Sequence, residues 1–150
     1  GAQNPEKVAP INESPVGFAG KGRFLDPRGI TVAIVDDDEG VRKSLGFVLE
    51  LDGFKAYQFE SPAEFLATLG GTEIDCLIVD FCMPESTGLT LTAQLREIGV
   101  QIPVILMTAH FDPKIEDDAK KLGIYRVLQK PFAGNPWPQL IPAAIADSQH

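Results

Sequence analysis

Four short apolar runs, each closed by a polar residue, punctuate the chain: 30–35 (ITVAIV), 74–79 (IDCLIV), 103–107 (PVILM) and 125–129 (YRVLQ). A fifth segment, 54–59 (FKAYQF), alternates less cleanly and reads as an edge strand. The stretches between them carry a helical period instead. Val41, Leu45, Val48 and Leu49 recur at i, i+4, i+7 and i+8, which predicts a helix with one buried face, closed by Gly53 as C-cap. Ser61-Pro62-Ala63-Glu64 is a capping box with proline at the first helical position, so a helix is expected over about 62–69. After a loop with Pro84 and Gly88, a helix is expected to bury Leu91, Leu95 and Ile98. Asp112-Pro113 opens another, whose apolar stripe is only Ile115, Ala119 and Leu122, making it the least anchored helix. Pro136, Pro138 and Pro142 fall where a last helix should be. Proline is tolerated only where N–H groups lack intrahelical partners, so a short helix over about 139–147, with Pro142 in its first turn, reconciles the pattern.

Strands alternating with amphipathic helices define a parallel sheet covered on both faces. In such a sheet the carboxyl ends of the strands form one rim, and ligands bind in the crevice outside it. Asp36 and Asp37, Asp80, Thr108 and Lys130 stand just at or after four of the strand ends. The pattern therefore gathers carboxylates, a hydroxyl and an ammonium at one edge.

Length and composition narrow what that edge can serve. The 150 residues suffice for one domain with a real core, and 44% hydrophobic with 23% charged residues is ordinary for a globular chain. No apolar run approaches the roughly 20 residues that span a membrane, and the N-terminus lacks the layout of a secretory signal. Cys76 and Cys82 are too few for a disulfide framework and read as reduced thiols of a cytoplasmic protein. Residues 1–29, with four prolines, five glycines and no period, read as a flexible leader, of which Gly1 and more can be a cloning remnant; the domain is expected over 30–150. Net charge is −8, and the residues beyond position 29 carry nine basic and eighteen acidic side chains. An acidic body repels phosphates, so no direct nucleic acid binding is expected.

Three clustered carboxylates repel one another unless neutralised, and Lys130 supplies one positive charge. A hard divalent cation fits the remainder, Mg²⁺ in particular, since it keeps several waters and needs few carboxylates. An ionised Asp beside such a cation is a usable oxygen nucleophile toward phosphorus, and a lysine and a hydroxyl can hold phosphoryl oxygens. Taken singly, each residue has a plainer role: Asp36, Asp37 or Asp38 as helix N-cap, Thr108 as a turn cap, Lys130 as a solvated ammonium. Their joint placement favours the reactive reading.

The segments IVDDDEGVRKSL (34–45), IVDFCMPESTG (78–88), ILMTAH (105–110) and LQKPF (128–132) resemble, in order, the receiver domain of two-component response regulators. The resemblance covers about residues 30–147 and is closest to receivers of transcription regulators with a helix-turn-helix output domain, for which these residues hold no counterpart. It implies a flavodoxin-like, five-stranded parallel sheet of order 2-1-3-4-5. It further implies that Asp80 accepts a phosphoryl group from a histidine kinase or phosphotransfer protein. Asp36, Asp37, Asp80 and the backbone carbonyl of Cys82 would hold Mg²⁺, with Asp38 outside the family pair. Thr108 would bond the phosphoryl group and switch, Lys130 would pair with it, and Lys130-Pro131 would be cis. Such a domain promotes its own phosphorylation and dephosphorylation rather than being an enzyme, and signals to a partner protein or an output domain.

Three features depart from the family pattern. Val127 replaces the switch aromatic, and Tyr125, two residues earlier, is expected on the same side of the strand but further along. His110 stands where receivers tune loss of the phosphoryl group, as a general acid–base or as an exposed loop residue. The proline-broken last helix alters a face many receivers use to dimerise, which suggests a monomer or weak dimer. The alternative is a degenerate receiver that binds a partner without phosphorylation, which the intact set of site residues disfavours. A phosphohydrolase would need a second acid–base carboxylate and a cap, and a flavin-binding domain a phosphate loop where three aspartates stand.

Overall fold

The computed structural model describes residues 26–148. Of the expected leader only 26–29 is described, where Pro27–Gly29 forms a 3₁₀ turn capped by Asp26; residues 1–25 lie outside the described residues.

Five strands build one parallel sheet: β1 Thr31–Val35, β2 Lys55–Phe59, β3 Cys76–Asp80, β4 Val104–Thr108 and β5 Arg126–Gln129. Their order is β2-β1-β3-β4-β5, as the resemblance implied. β3 and β4 are buried along their whole length, because helices cover both faces. Those helices are α1 Glu39–Leu51, α2 Pro62–Leu66, α3 Gly88–Glu97, α4 Pro113–Lys121 and α5 Trp137–Asp147.

Strand side chains alternate between two cores. Val32 and Ile34 pack with Ile78, Met107, Leu49 of α1 and Ile141 of α5. Ala33 and Val35 pack with Leu77, Leu106, Phe65 of α2, Leu91 of α3 and Ala119 of α4. A continuous apolar run on a central strand thus serves two layers, and Asp36 or Asp80 marks where burial of apolar groups gives way to the rim.

Several expectations shift. α2 ends at Leu66 rather than near 69, because Thr68 N–H and Oγ both turn back to the Phe65 carbonyl, 3.0 and 2.8 Å away. A hydroxyl that competes for a helix carbonyl, with Leu69 N–H closing a similar turn on Leu66, loosens the last turn. Ile98 is not buried but 64% exposed, since it is the C-cap of α3, beyond the face formed by Leu91 and Leu95. α5 begins at Trp137, two residues early, with Pro136 at the N-cap and Pro138 in the first turn; Asn135 Oδ1 accepts the Trp137 N–H at 3.1 Å. Pro142 then lies inside the helix, beyond the first turn. Gly53 does adopt a left-handed φ of 99° after α1. Lys130-Pro131 is cis.

Candidate functional site

The rim is fixed by backbone hydrogen bonds that extend the sheet past its strands. Asp36 N–H donates to the Phe59 carbonyl (3.2 Å), Phe81 N–H to Met107 (2.7 Å) and Lys130 N–H to Thr108 (2.8 Å). Asp36, Asp80 and Lys130 are thereby held at the carboxyl ends of β1, β3 and β5. Beyond Asp80 the chain makes a two-residue antiparallel ladder, Cys82–Met83 with Ser86–Thr87, turned by Pro84 and Glu85. Gly88 then starts α3 against the strand ends. A Cβ there would come 2.5 Å from Leu106 Cδ1 and 2.8 Å from the Asp80 carbonyl oxygen, so only glycine fits.

Asp36, Asp37 and Asp80 each offer a carboxylate oxygen, and these three atoms lie within 4.8 Å of one another. Lys130 Nζ is 2.8 Å from Asp80 Oδ1 and 3.9 Å from Asp36 Oδ2. The other Asp80 oxygen accepts the Cys82 N–H at 3.0 Å. Asp36 Oδ1 accepts the Asp38 N–H at 2.9 Å, while its Oδ2 is buried without a hydrogen-bond donor. Burial pushes the Asp36 carboxyl above the usual carboxylate range; the Asp38 N–H and Lys130 oppose this, and the charges of Asp80 and Asp37 add to it. For Lys130 burial works against the charge, but the hydrogen bond to Asp80 and the charges of Asp80, Asp36 and Asp38 outweigh it and raise its pKa.

Thr108 is the last residue of β4 and is 4% exposed. Its hydroxyl donates to the His110 carbonyl (3.1 Å) and accepts the His110 N–H (3.3 Å), so it is engaged by its own loop. The His110 and Cys82 residues are exposed. Asp38 caps α1, its Oδ1 accepting from Val41 N–H at 3.1 Å, which is the plainer role weighed for that position. Val127 packs in the core beneath α3 and α4. Tyr125 does not share its side: it precedes β5, packs in the core beneath α1 and α5, and its hydroxyl donates to Asp147 at 2.8 Å. Period-2 alternation fails there because Tyr125 lies outside the strand.

One contributor escaped the sequence. Arg42 Nη1 donates to the Asp36 carbonyl at 2.8 Å, bracing the residue that carries the buried carboxylate. Its spacing of six from Asp36, across a helix cap, leaves no periodic signal. The donor set is all oxygen, includes one buried oxygen without a partner and carries excess negative charge. These properties suit a hard divalent cation.

The response regulator receiver domain family matches residues 32–141. FixJ of Azorhizobium caulinodans, a transcriptional regulatory protein, is 39% identical over 106 residues, 71% of this chain and 50% of its own length. The response regulator TodT of Pseudomonas putida is 34% identical over 110 residues, 73% of this chain and 48% of its own. The chain spans about half the length of the curated relatives it matches. The crystal structure of FixJ-N superposes with a TM-score of 0.68 at 36% identity, covering 81% of this chain and 94% of that one. A Francisella response regulator 1452 receiver domain reaches 0.73 at 22% identity, over 79% of this chain and 98% of its own, and speaks to fold alone. This chain belongs to the response regulator receiver domain family.

Proposed function

We propose that Asp80 accepts a phosphoryl group from the phosphohistidine of a histidine kinase or phosphotransfer protein, and that this modification switches the domain toward a protein partner or an output domain. The observation that carries the proposal is the convergence of Asp80 with Lys130 at 2.8 Å and with Asp36 and Asp37 within 4.8 Å at one sheet rim. An Asp80 oxygen would attack phosphorus in line with the departing imidazole nitrogen, which keeps the electron pair of the broken P–N bond. Lys130 would follow the phosphoryl oxygens, and the Cys82 N–H would hold the second Asp80 oxygen in orientation.

Asp36, Asp37, Asp80 and the Cys82 carbonyl would hold Mg²⁺. When bound, the cation neutralises charge on the carboxylates and the phosphoryl oxygens. The buried, unpartnered Asp36 Oδ2 supports this assignment, because such an oxygen is costly to leave unsatisfied.

Thr108 supplies the switch. Turning its hydroxyl toward the phosphoryl group would break both bonds to His110 and free the loop that leads to α4. α4 buries only Ala119 fully, so its repositioning costs little. The output surface is therefore α4 with β5 and the segment after it. Because Val127 is no ring and Tyr125 is bonded to Asp147, neither can follow Thr108 as a switching aromatic, and the shift should be smaller than a coupled one. Among the described residues no helix is long and apolar enough to cross a membrane, and a cytoplasmic role fits two free thiols.

Incubation with acetyl phosphate and Mg²⁺, read by intact mass, tests the reading. The chain should gain the mass of one phosphoryl group and Asp80→Asn none; an unmodified wild-type chain under conditions that label other receivers would refute it. No observation favours the phosphorylation-independent alternative.

A further inference from the structure

We infer that Arg96 makes the end of α4 a fixed pivot, so that the switch swings the start of this helix while its end stays on the sheet. The inference rests on the phosphoryl switch at Asp80 and Thr108 and adds how the helix moves. Arg96 lies in the last turn of α3 and is half-buried. Its Nε donates to the Leu122 carbonyl at 2.9 Å, its Nη1 to those of Val100 (3.0 Å) and Ile102 (2.9 Å), and its Nη2 to Gly123 at 3.5 Å. One planar guanidinium thus ties the turn after α4 to the loop before β4. The carbonyls it takes at Leu122 and Gly123 lie at the negative end of the α4 dipole, where a cation is favoured.

The chain closes the same end independently. Gly123 has a left-handed φ of 74°, its N–H donates to the Lys120 carbonyl (3.0 Å), and the Ile124 N–H reaches back to Ala119 (3.0 Å). These bonds make a Schellman motif, and its apolar pair, Ala119 and Ile124, is buried in one core. The Tyr125 N–H then donates to the Val104 carbonyl at 2.8 Å, so the sheet resumes directly after the turn.

The start of α4 is held quite differently. Every residue from Ala109 to Lys114 is exposed, and the cap is local, with Asp112 Oδ1 accepting the Lys114 N–H at 2.8 Å. The Thr108 hydroxyl, bonded to the His110 carbonyl and N–H, ties this stretch to the rim, and turning Thr108 would break both bonds. At ~1.5 Å per residue, the nine residues of α4 make a lever of about 13 Å. Tilting it by ~10° about Leu122 would carry its start by ~2 Å and its end hardly at all. A partner that reads the state must therefore touch residues 109–116, with the start of β5 as the unmoving reference beside them.

Amide hydrogen exchange of the whole chain, with and without beryllofluoride and Mg²⁺, tests this. In wild type the response should be largest over 109–115 and vanish over 122–125. In loaded Arg96→Met it should spread to 122–124, where exchange should quicken by about tenfold or more, the factor for losing one hydrogen bond to a charged group. Arg96→Lys should resemble Arg96→Met, because a single ammonium keeps the charge but not the fork. If Arg96→Met folds poorly, the wild-type gradient and Arg96→Lys decide. Intact mass after acetyl phosphate should still show one phosphoryl group on either variant, since neither change touches the rim. A response spread evenly over 109–124 in wild type, or variants that keep the wild-type gradient, would overturn the pivot and leave phosphorylation at Asp80 standing. Loss of labelling in the variants would place the role of Arg96 at the rim and overturn it too. Wild-type exchange that changes nowhere in 109–124 would remove the Thr108 switch and the pivot with it.

Discussion

Lys130 Nζ lies 2.8 Å from Asp80 Oδ1, an ion pair at the edge of the sheet with the lysine side chain only 26% exposed. The lysine is thus preset on the carboxylate that we take to be the phosphoacceptor. Lys130→Ala should leave Mg²⁺ affinity near wild type, because an ammonium has no lone pair to give the metal, but should abolish the conformational response. Amide exchange of the phosphorylated forms decides this; equal changes in variant and wild type would remove Lys130 from the switch.

The same pair fixes a pH dependence. A raised folded-state pKa means the ammonium's contribution is complete below the ordinary lysine value, ~10.4, and is lost as pH climbs through the folded value. Denaturant melts of wild type and Lys130→Met should therefore differ at pH 8 and converge as pH rises above about 10.5. Curves that stay parallel through that window would contradict the assignment.

Asp36 behaves in the opposite sense. Its carboxyl is held above the usual range, so its ionisation opposes folding at neutral pH, and that penalty lifts as pH falls through its folded-state pKa. Asp36→Asn should raise Tm at pH 7 by roughly 2–6 °C, the shift for ~1 kcal/mol in a domain of this size. It should at the same time weaken Mg²⁺ binding, followed by Trp137 fluorescence. A lowered Tm would mean that the buried oxygen is not a strained metal ligand.

Gly88→Ala should cost about 1–3 kcal/mol by overpacking, since the new methyl meets the Asp80 carbonyl and Leu106 at less than van der Waals distance. Because the backbone that would have to move belongs to Asp80, the phosphorylation rate should fall as well. A stable variant labelled at the wild-type rate would show that the strand end has more freedom than the packing indicates.

The sheet and rim were legible because both follow from short-range rules. Apolar runs ending in Asp36, Asp80 and Thr108 could only be buried strands that meet solvent at one edge. What failed to show lies where one bond overrides the period. Thr68 turning onto Phe65 shortens α2, and Asn135 Oδ1 accepting the Trp137 N–H helps α5 start right after Pro136, earlier than its prolines suggest. Tyr125 leaves its expected side because it precedes β5 and finds Asp147. Arg42 on the Asp36 carbonyl and the Thr108–His110 loop bonds depend on tertiary placement that no spacing encodes.

Borohydride reduction after acetyl phosphate treatment is the most direct measurement, because it converts an aspartyl phosphate to homoserine and marks the residue for peptide mass spectrometry. The mark is expected at Asp80, in wild type and in Thr108→Ala alike, with Asp36 and Asp37 unmodified. A mark on either of those residues, or an unreduced Asp80 in a phosphorylated chain, would contradict the assignment of Asp80 as the phosphoacceptor.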